Sequence, residues 1–279
     1  MISKSRLKEL AAYRLQKNCD EEAVFVVEGP KMAAEAMAVG MPIRVVCATG
    51  EWKAENGERG VACGEFYEVS QAELERLSNF KTPNQVWMLL DRPDHSSLIT
   101  HHSSLTLALD RIQDPGNMGT LMRTADWFGV RHIVCSRDTV SCYNPKVVQA
   151  SMGAIFRTRV DYVDLPAWLA ACGMPVYGAS LQGEPLETHS LQPTTPKVLL
   201  IGNESRGISP EAMATVTHPV LIPNLGGTAE SLNAAVAAGI LIYYLGSTGS
   251  AEECQGVQDN TLRNESFIIK YSNNAGIKD

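Results

Sequence analysis

Asn117, Arg123, Glu204, Ser231 and Asn233 are polar side chains of types able to do chemistry, and each also has an ordinary structural role open to it. In residues 107–129 the strand-like Leu107, Leu109 and Ile112 run into the turn Asp114-Pro115-Gly116. Asn117 then stands as a preferred N-cap for a helix that Gly129 closes. At 100° per residue Leu121, Ala125 and Phe128 share one face, and Arg123 points away from it. Such an arginine is ordinarily a solvated surface group; beside a ligand it is a permanent cation with several donors. Residues 202–207, GNESRG, set Glu204 as an acceptor in a loop whose glycines let backbone pass close to a ligand. That loop leads into a helix capped by Ser209 with Pro210 at its first position. Ser231 and Asn233 precede a third helix, where free amides collect, and either cap it or meet a ligand.

The elements that position these groups alternate. After the 107–129 unit come a strand at 132–135, a helix at 145–154, a strand at 158–163, a helix at 166–172, and strands at 176–180 and 198–201. This pattern predicts a mostly parallel sheet with helices on both faces. Its ligands belong at the carboxyl ends of the strands, where residues 113–117, the 202–207 loop and the loop after Ile222 converge. The helix at 234–245 is apolar nearly all round and must be covered on both sides, in the core or against a second subunit. Ahead of this lies a smaller α/β unit of about ninety residues. It reads as a basic helix at 3–17, a strand at 23–28, a helix at 31–39 and a strand at 43–48. A polar loop at 49–60, a strand at 67–69, a helix at 71–77 and a strand at 86–90 complete it, and 92–104 is a linker.

Of the 279 residues 44% are hydrophobic and 20% charged, an ordinary soluble composition. No apolar run is long enough to span a bilayer and the N-terminus lacks a signal-peptide core, so a cytoplasmic protein is expected. The seven cysteines are scattered without a CxxC pair, which fits reduced thiols better than disulfides or a zinc site. A net charge of −7 argues against nonspecific adhesion to nucleic acid but permits a local basic patch. Candidates are the cations of the first helix, among them Lys4, Lys8 and Arg14, together with Lys146, Arg157 and Arg159. Residues 246–279 read as a polar, disordered tail.

Taken together, NxGxxxR at Asn117, Gly119 and Arg123, GNExxG at 202–207, and Ile222-Pro223 followed by Ser231-Leu232-Asn233 resemble the SpoU (TrmH) family of SPOUT-class RNA 2′-O-ribose methyltransferases. The resemblance covers residues 105–245, the expected catalytic domain. VEGPKMAAEAM, with Glu28 and Gly29, and Lys81-Thr82-Pro83 also resemble a small ribosomal-protein-like RNA-binding domain, here residues 1–95. The family likeness implies a trefoil knot that forms an S-adenosylmethionine pocket, and a homodimer packed across it. Pattern rules alone would give an open doubly wound sheet. On the same likeness Gly202, Ile222 and Leu232 contact the cofactor, Asn117, Arg123, Glu204, Ser231 and Asn233 form the reaction site, and no metal takes part. Two departures stand out: the 223–231 segment is one residue longer than the family pattern, and Asn224 replaces a methionine or small residue.

The implied chemistry aligns a ribose oxygen, a methyl carbon and a sulfonium, and stabilises charge growing on the oxygen. A guanidinium suits this by holding a phosphate through two donors while others face the alkoxide. Arginine stays protonated, so the proton acceptor is Glu204 or the bound phosphate. Ribosomal RNA is the expected substrate, with transfer RNA as the alternative. A noncatalytic RNA-binding protein of the same fold, or a dehydrogenase on a Rossmann sheet, are the readings from other classes. The dehydrogenase lacks its glycine fingerprint.

Overall fold

The computed structural model describes residues 2–57, 62–93, 104–185 and 195–247. The N-terminal unit opens with α1 (Lys4–Ala11), capped by Ser3, and α2 (Gln16–Glu21). One helix was expected over 3–17; a 3-10 turn at Ala12–Arg14 and an extended, exposed Leu15 break it in two. Then follow β1 (Val24–Glu28), α3 (Pro30–Ala38), β2 (Ile43–Ala48), α4 (Gly50–Asn56), β3 (Cys63–Glu68), α5 (Gln71–Leu77) and β4 (Val86–Asp91). The supposed polar loop at 49–60 holds α4, which Thr49 caps and a fully buried Trp52 pins to the core. One capped turn and a single anchor give too little periodicity to be seen in sequence. α5 starts with a capping box, Ser70 with Glu73. The four strands order as β1-β4-β2-β3, with β1 and β2 antiparallel to β4 and β3 parallel to β2.

The second unit comprises β5 (Leu105–Leu109), α6 (Pro115–Trp127), β6 (His132–Ser136), α7 (Pro145–Ser151), β7 (Arg159–Val163), α8 (Leu165–Ala171), β8 (Val176–Pro185), β9 (Lys197–Ile201), α9 (Pro210–Met213), β10 (His218–Leu221) and α10 (Ala234–Ser247). Its six strands are all parallel in the order β10-β8-β9-β5-β6-β7. β5 and β9 lie centrally and are buried along their whole length, which is why both are mostly apolar. The expected parallel sheet is present; the edge strand β10, four residues with a proline, went unread. A register shift between Pro219 and Val220 skips from Gly178 to Glu184 on β8, and that irregularity shapes the sheet's ligand end.

The two sheets share a core. Phe25 of β1 meets Tyr143 and Phe156, with ring centres 5.1 Å and 6.2 Å away, and Arg92 lies 4.3 Å over the Tyr143 ring. Arg157 ties Glu35 of α3 at 2.8 Å to Asp126 of α6 at 2.9 Å. Arg159 is paired with Asp161 at 2.8 Å. These two arginines, candidate RNA contacts by sequence, are therefore spent on intramolecular ion pairs. Among the described residues, six cysteines are free thiols and no helix is long and apolar enough to cross a membrane. The expected tail and most of the linker lie outside the described residues.

Candidate active site

The helix α6 is capped by Asp114, whose carboxylate accepts from the Asn117 amide at 2.7 Å. Asn117 is thus not the N-cap expected from sequence; it sits inside the first turn, which frees its side chain. Asn117 Nδ2 donates to Glu204 Oε1 at 2.7 Å, and Asn233 Nδ2 donates to Asn117 Oδ1 at 2.9 Å and also to Glu204 Oε1. Three segments far apart in sequence close one hydrogen-bonded triangle. Asn233 caps as well, since its Oδ1 accepts from the amides of Ala235 at 3.0 Å and Val236 at 3.3 Å. Of the two roles open at the sequence level, Asn233 fills the capping one. Glu204 Oε2 has no partner among the described residues.

The loop that carries Glu204 is held rigidly. Asn203 and Gly207 exchange backbone bonds of 3.0 and 2.8 Å, and Gly207 takes φ +67°. The Asn203 side chain donates to the Arg111 carbonyl at 2.9 Å and accepts from the Ser205 and Arg206 amides at 3.0 and 3.2 Å. A Cβ on Gly202 would stand 2.2 Å from the Ile208 nitrogen, so only glycine fits. Asp110, 3% exposed, fixes the far end by accepting from the Ser209 amide at 2.6 Å. Arg111 between them adopts φ +58°, an uncommon conformation for a side chain of this size, held by Asn203 and by the Ser136 hydroxyl at 2.8 Å from its amide. Sequence reasoning missed Asn203, Asp110 and Arg111; their adjacency to Glu204 and to the end of β5 was the available signal.

At the ligand end of β8 and β10 lies a cleft of about 460 Å³, walled by Ala179, Leu181, Ile222, Pro223, Leu232 and Leu241. Ile222 and Leu232 line this cleft; Gly202 does not and shapes the Glu204 loop instead. Ser231 is an exposed part of the wall and makes no hydrogen bond among the described residues. Asn224 folds its own loop, accepting from the Gly226 and Gly227 amides at 3.0 and 2.7 Å and donating to the Gly227 carbonyl at 3.1 Å.

Arg123 is exposed on α6 and has no hydrogen bond or ion pair among the described residues. It does not join the triangle. Around it α6 and α10 run side by side in the same direction, since Asn117 meets Asn233, Thr124 neighbours Gly239, and Phe128 meets Tyr243 at 6.0 Å between ring centres. Ala238, Leu241, Ile242 and Leu245 of α10 face the core; Val236, Ile240 and Tyr243 are exposed, as are Trp127 and Phe128 of α6. Phe128, expected in the core, is 40% exposed because it lies past the last buried turn.

The sequence and the overall fold match known methyltransferases. Residues 104–243 match the SpoU rRNA Methylase family and residues 4–87 an MRM3-like substrate binding domain. The chain belongs to the SpoU rRNA methylase family. It is 30% identical over 245 residues to the Bacillus subtilis 23S rRNA (guanosine(2553)-2′-O)-methyltransferase RlmP, covering 86% of this chain and 95% of that one. A TrmH-family structure from Porphyromonas gingivalis superposes with a TM-score of 0.77 at 36% identity, covering 89% of this chain and all of that one. The SpoU methyltransferase AviRb from Streptomyces viridochromogenes, solved with AdoMet, gives 0.75 at 26% identity over 89% of this chain and 100% of that one.

Proposed function

We propose that this chain transfers a methyl group from S-adenosylmethionine to a ribose 2′-hydroxyl of ribosomal RNA. The observation that carries the reading is the Asn117–Glu204–Asn233 triangle, set one residue beyond Leu232 of the apolar cleft. The cleft's volume is in the range of small-molecule sites, and its apolar walls with few polar groups suit an adenosyl body held by backbone contacts. When bound, the cofactor supplies an activated methyl on a sulfonium leaving group. The protein's part is positional and electrostatic. Asn117 and Asn233 orient Glu204 so that its open Oε2 accepts the hydroxyl proton, and Arg123 holds the adjoining phosphate and faces the growing alkoxide. Ser231 forms part of the cleft wall and would border the bound cofactor.

Arg123 serves the cleft of a second copy in this reading, and the homodimer packs through the exposed apolar strip of Trp127, Phe128, Val236, Ile240 and Tyr243. A trefoil knot through the 202–233 region, by family likeness, belongs to the same proposal. The free cysteines suit a reducing cytoplasm.

The test is titration of S-adenosylmethionine into the pure protein, then incubation with methyl-labelled cofactor and RNA fractionated by size. Label in the ribose of large ribosomal RNA is expected. Label confined to transfer RNA would move the substrate, and a folded dimer that binds no cofactor would overturn the reading in favour of a noncatalytic RNA binder.

A further inference from the structure

Between the end of β10 and the start of α10 the chain takes neither helical nor strand conformation, and from Pro223 to Asn233 every residue is exposed. The same stretch nonetheless walls the apolar cleft, with Pro223, Asn224, Gly227, Ala229 and Ser231 among the lining groups. Burial does not hold it in place, since Leu225 is 96% exposed. Two adjacent glycines, Gly226 and Gly227, add backbone freedom, so a stretch of this kind has many conformations to lose when it orders.

One side chain supplies the order. Asn224 Oδ1 accepts from the Gly226 amide at 3.0 Å and from the Gly227 amide at 2.7 Å, while Nδ2 donates to the Gly227 carbonyl at 3.1 Å and to the Ala229 carbonyl at 3.4 Å. Four bonds use both lone pairs and both N–H groups, the full capacity of an amide side chain. Among the described residues no other hydrogen bond reaches 223–231. Gly226 takes φ +104°, which lets the chain turn back around the Asn224 amide. Every partner lies two to five positions ahead of Asn224, so the turn closes without the sheet and without a ligand. Both departures from the family pattern, the additional residue and Asn224 itself, fall on this stretch. A longer loop has more freedom to lose, and the Asn224 amide removes it.

We propose that Asn224 is a positioning residue for cofactor capture: it shapes the 223–231 wall before S-adenosylmethionine arrives, so that binding does not have to order the loop. Its amide is fully engaged within the loop and takes no part in methyl transfer. Aspartate at this position keeps an acceptor for the two glycine amides but sets a carboxylate oxygen against the Gly227 and Ala229 carbonyls, so it can do only half of the work. The inference rests on the reading of this cleft as the cofactor site.

The test uses the full-length protein and the variants Asn224→Ala and Asn224→Asp. Hydrogen exchange of the cofactor-free protein reads the loop directly: the Gly226 and Gly227 amides exchange about tenfold faster in Asn224→Ala than in the native protein, with the melting temperature unchanged because the loop lies outside the cores. Calorimetric titration reads capture: the Kd for S-adenosylmethionine and for S-adenosylhomocysteine rises about tenfold in Asn224→Ala, and by a smaller factor in Asn224→Asp. At saturating cofactor, kcat and the KM for RNA keep their native values. Equal exchange in native protein and variant, or an unchanged Kd, overturns the inference. A fall in kcat at saturating cofactor overturns it too, since Asn224 would then act in the reaction itself. If Asn224→Ala melts early, Asn224→Asp decides, and a native Kd there is fatal. Should the native protein bind neither cofactor nor product, the reading of the cleft falls together with this inference; native binding that neither variant weakens sinks this inference alone.

Discussion

Asn233 gives one amide hydrogen to Asn117, 116 positions earlier and 2.9 Å away, and the other to Glu204, while its carbonyl oxygen caps α10. The two functions separate by substitution. Asn233→Asp keeps an acceptor for the Ala235 and Val236 amides but sets a second carboxylate against Glu204. Catalytic turnover falls by at least about tenfold with the melting temperature little changed. Asn233→Ala loses both functions and also costs about 1 kcal/mol from the vacant cap. Equal melting losses in both variants would show that the triangle is structural only.

Arg123 has no partner among the described residues, so Arg123→Ala leaves stability and S-adenosylmethionine affinity intact and lowers kcat by about 10² or more. Loss of cofactor binding along with turnover would refute that division. Whether it acts across a dimer is decided by mixing. Arg123→Ala and Glu204→Ala protomers, each inactive alone, regain about a quarter of native activity when co-expressed, because each mixed dimer keeps one intact site. Absence of recovery in mixed dimers would place Arg123 in its own subunit's reaction.

These two groups also show what was legible in sequence. Residue types and the order NxGxxxR, GNExxG and SLN pointed to Asn117, Arg123, Glu204 and Asn233, and helical periodicity alone turned Arg123 outward. The α/β alternation also brought their segments together at the carboxyl ends of the strands; the individual hydrogen bonds were not legible, because they depend on which strands neighbour which, and β5 lies between β9 and β6. Asn117 was misread as a cap since Asp114, three residues earlier, competes for the same role and wins by accepting from the Asn117 amide. Short elements were the weakest part. α4 and β10 each spend few residues in the core, so neither prints a period on the sequence.

The Glu204 loop predicts a steric result. Gly202→Ala would put Cβ 2.2 Å from the Ile208 nitrogen and 2.3 Å from the Gly207 carbonyl carbon, both backbone atoms that cannot step aside. We expect a loss of about 2–3 kcal/mol in denaturant unfolding and a larger loss of kcat than of cofactor affinity, since Glu204 moves and the cleft wall does not. A stable, fully active variant would show that the loop relaxes freely.

Arg157 joins the sheets through Glu35 and Asp126. It is about one-third exposed and Asp126 retains Arg131, so Arg157→Ala costs only about 1 kcal/mol. The sharper consequence is local: amide exchange rises in α3 and around residues 153–157, where Gly153 packs beside Glu35, before it rises in β5 or β9. Uniform exchange changes would show that the ion pairs do not set the contact between the sheets.

Burial pushes the thiols of Cys19 up to about 11 and of Cys47 and Cys142 up to about 12, from an ordinary value of 9.0. A group whose folded pKa is raised contributes its full stability below the unfolded pKa and loses it as pH climbs toward the folded value. The unfolded chain therefore gains charge first, and stability declines from pH 9 upward by about 1.4 kcal/mol per pH unit for each such thiol. Between pH 7 and 8.5 the same thiols stay protonated, buried and slow toward a thiol reagent, and their modification tracks unfolding. Urea midpoints that hold steady from pH 8.5 to 10.5, or full labelling of native protein at pH 8, would contradict the burial that the two cores impose on Cys47 and Cys142.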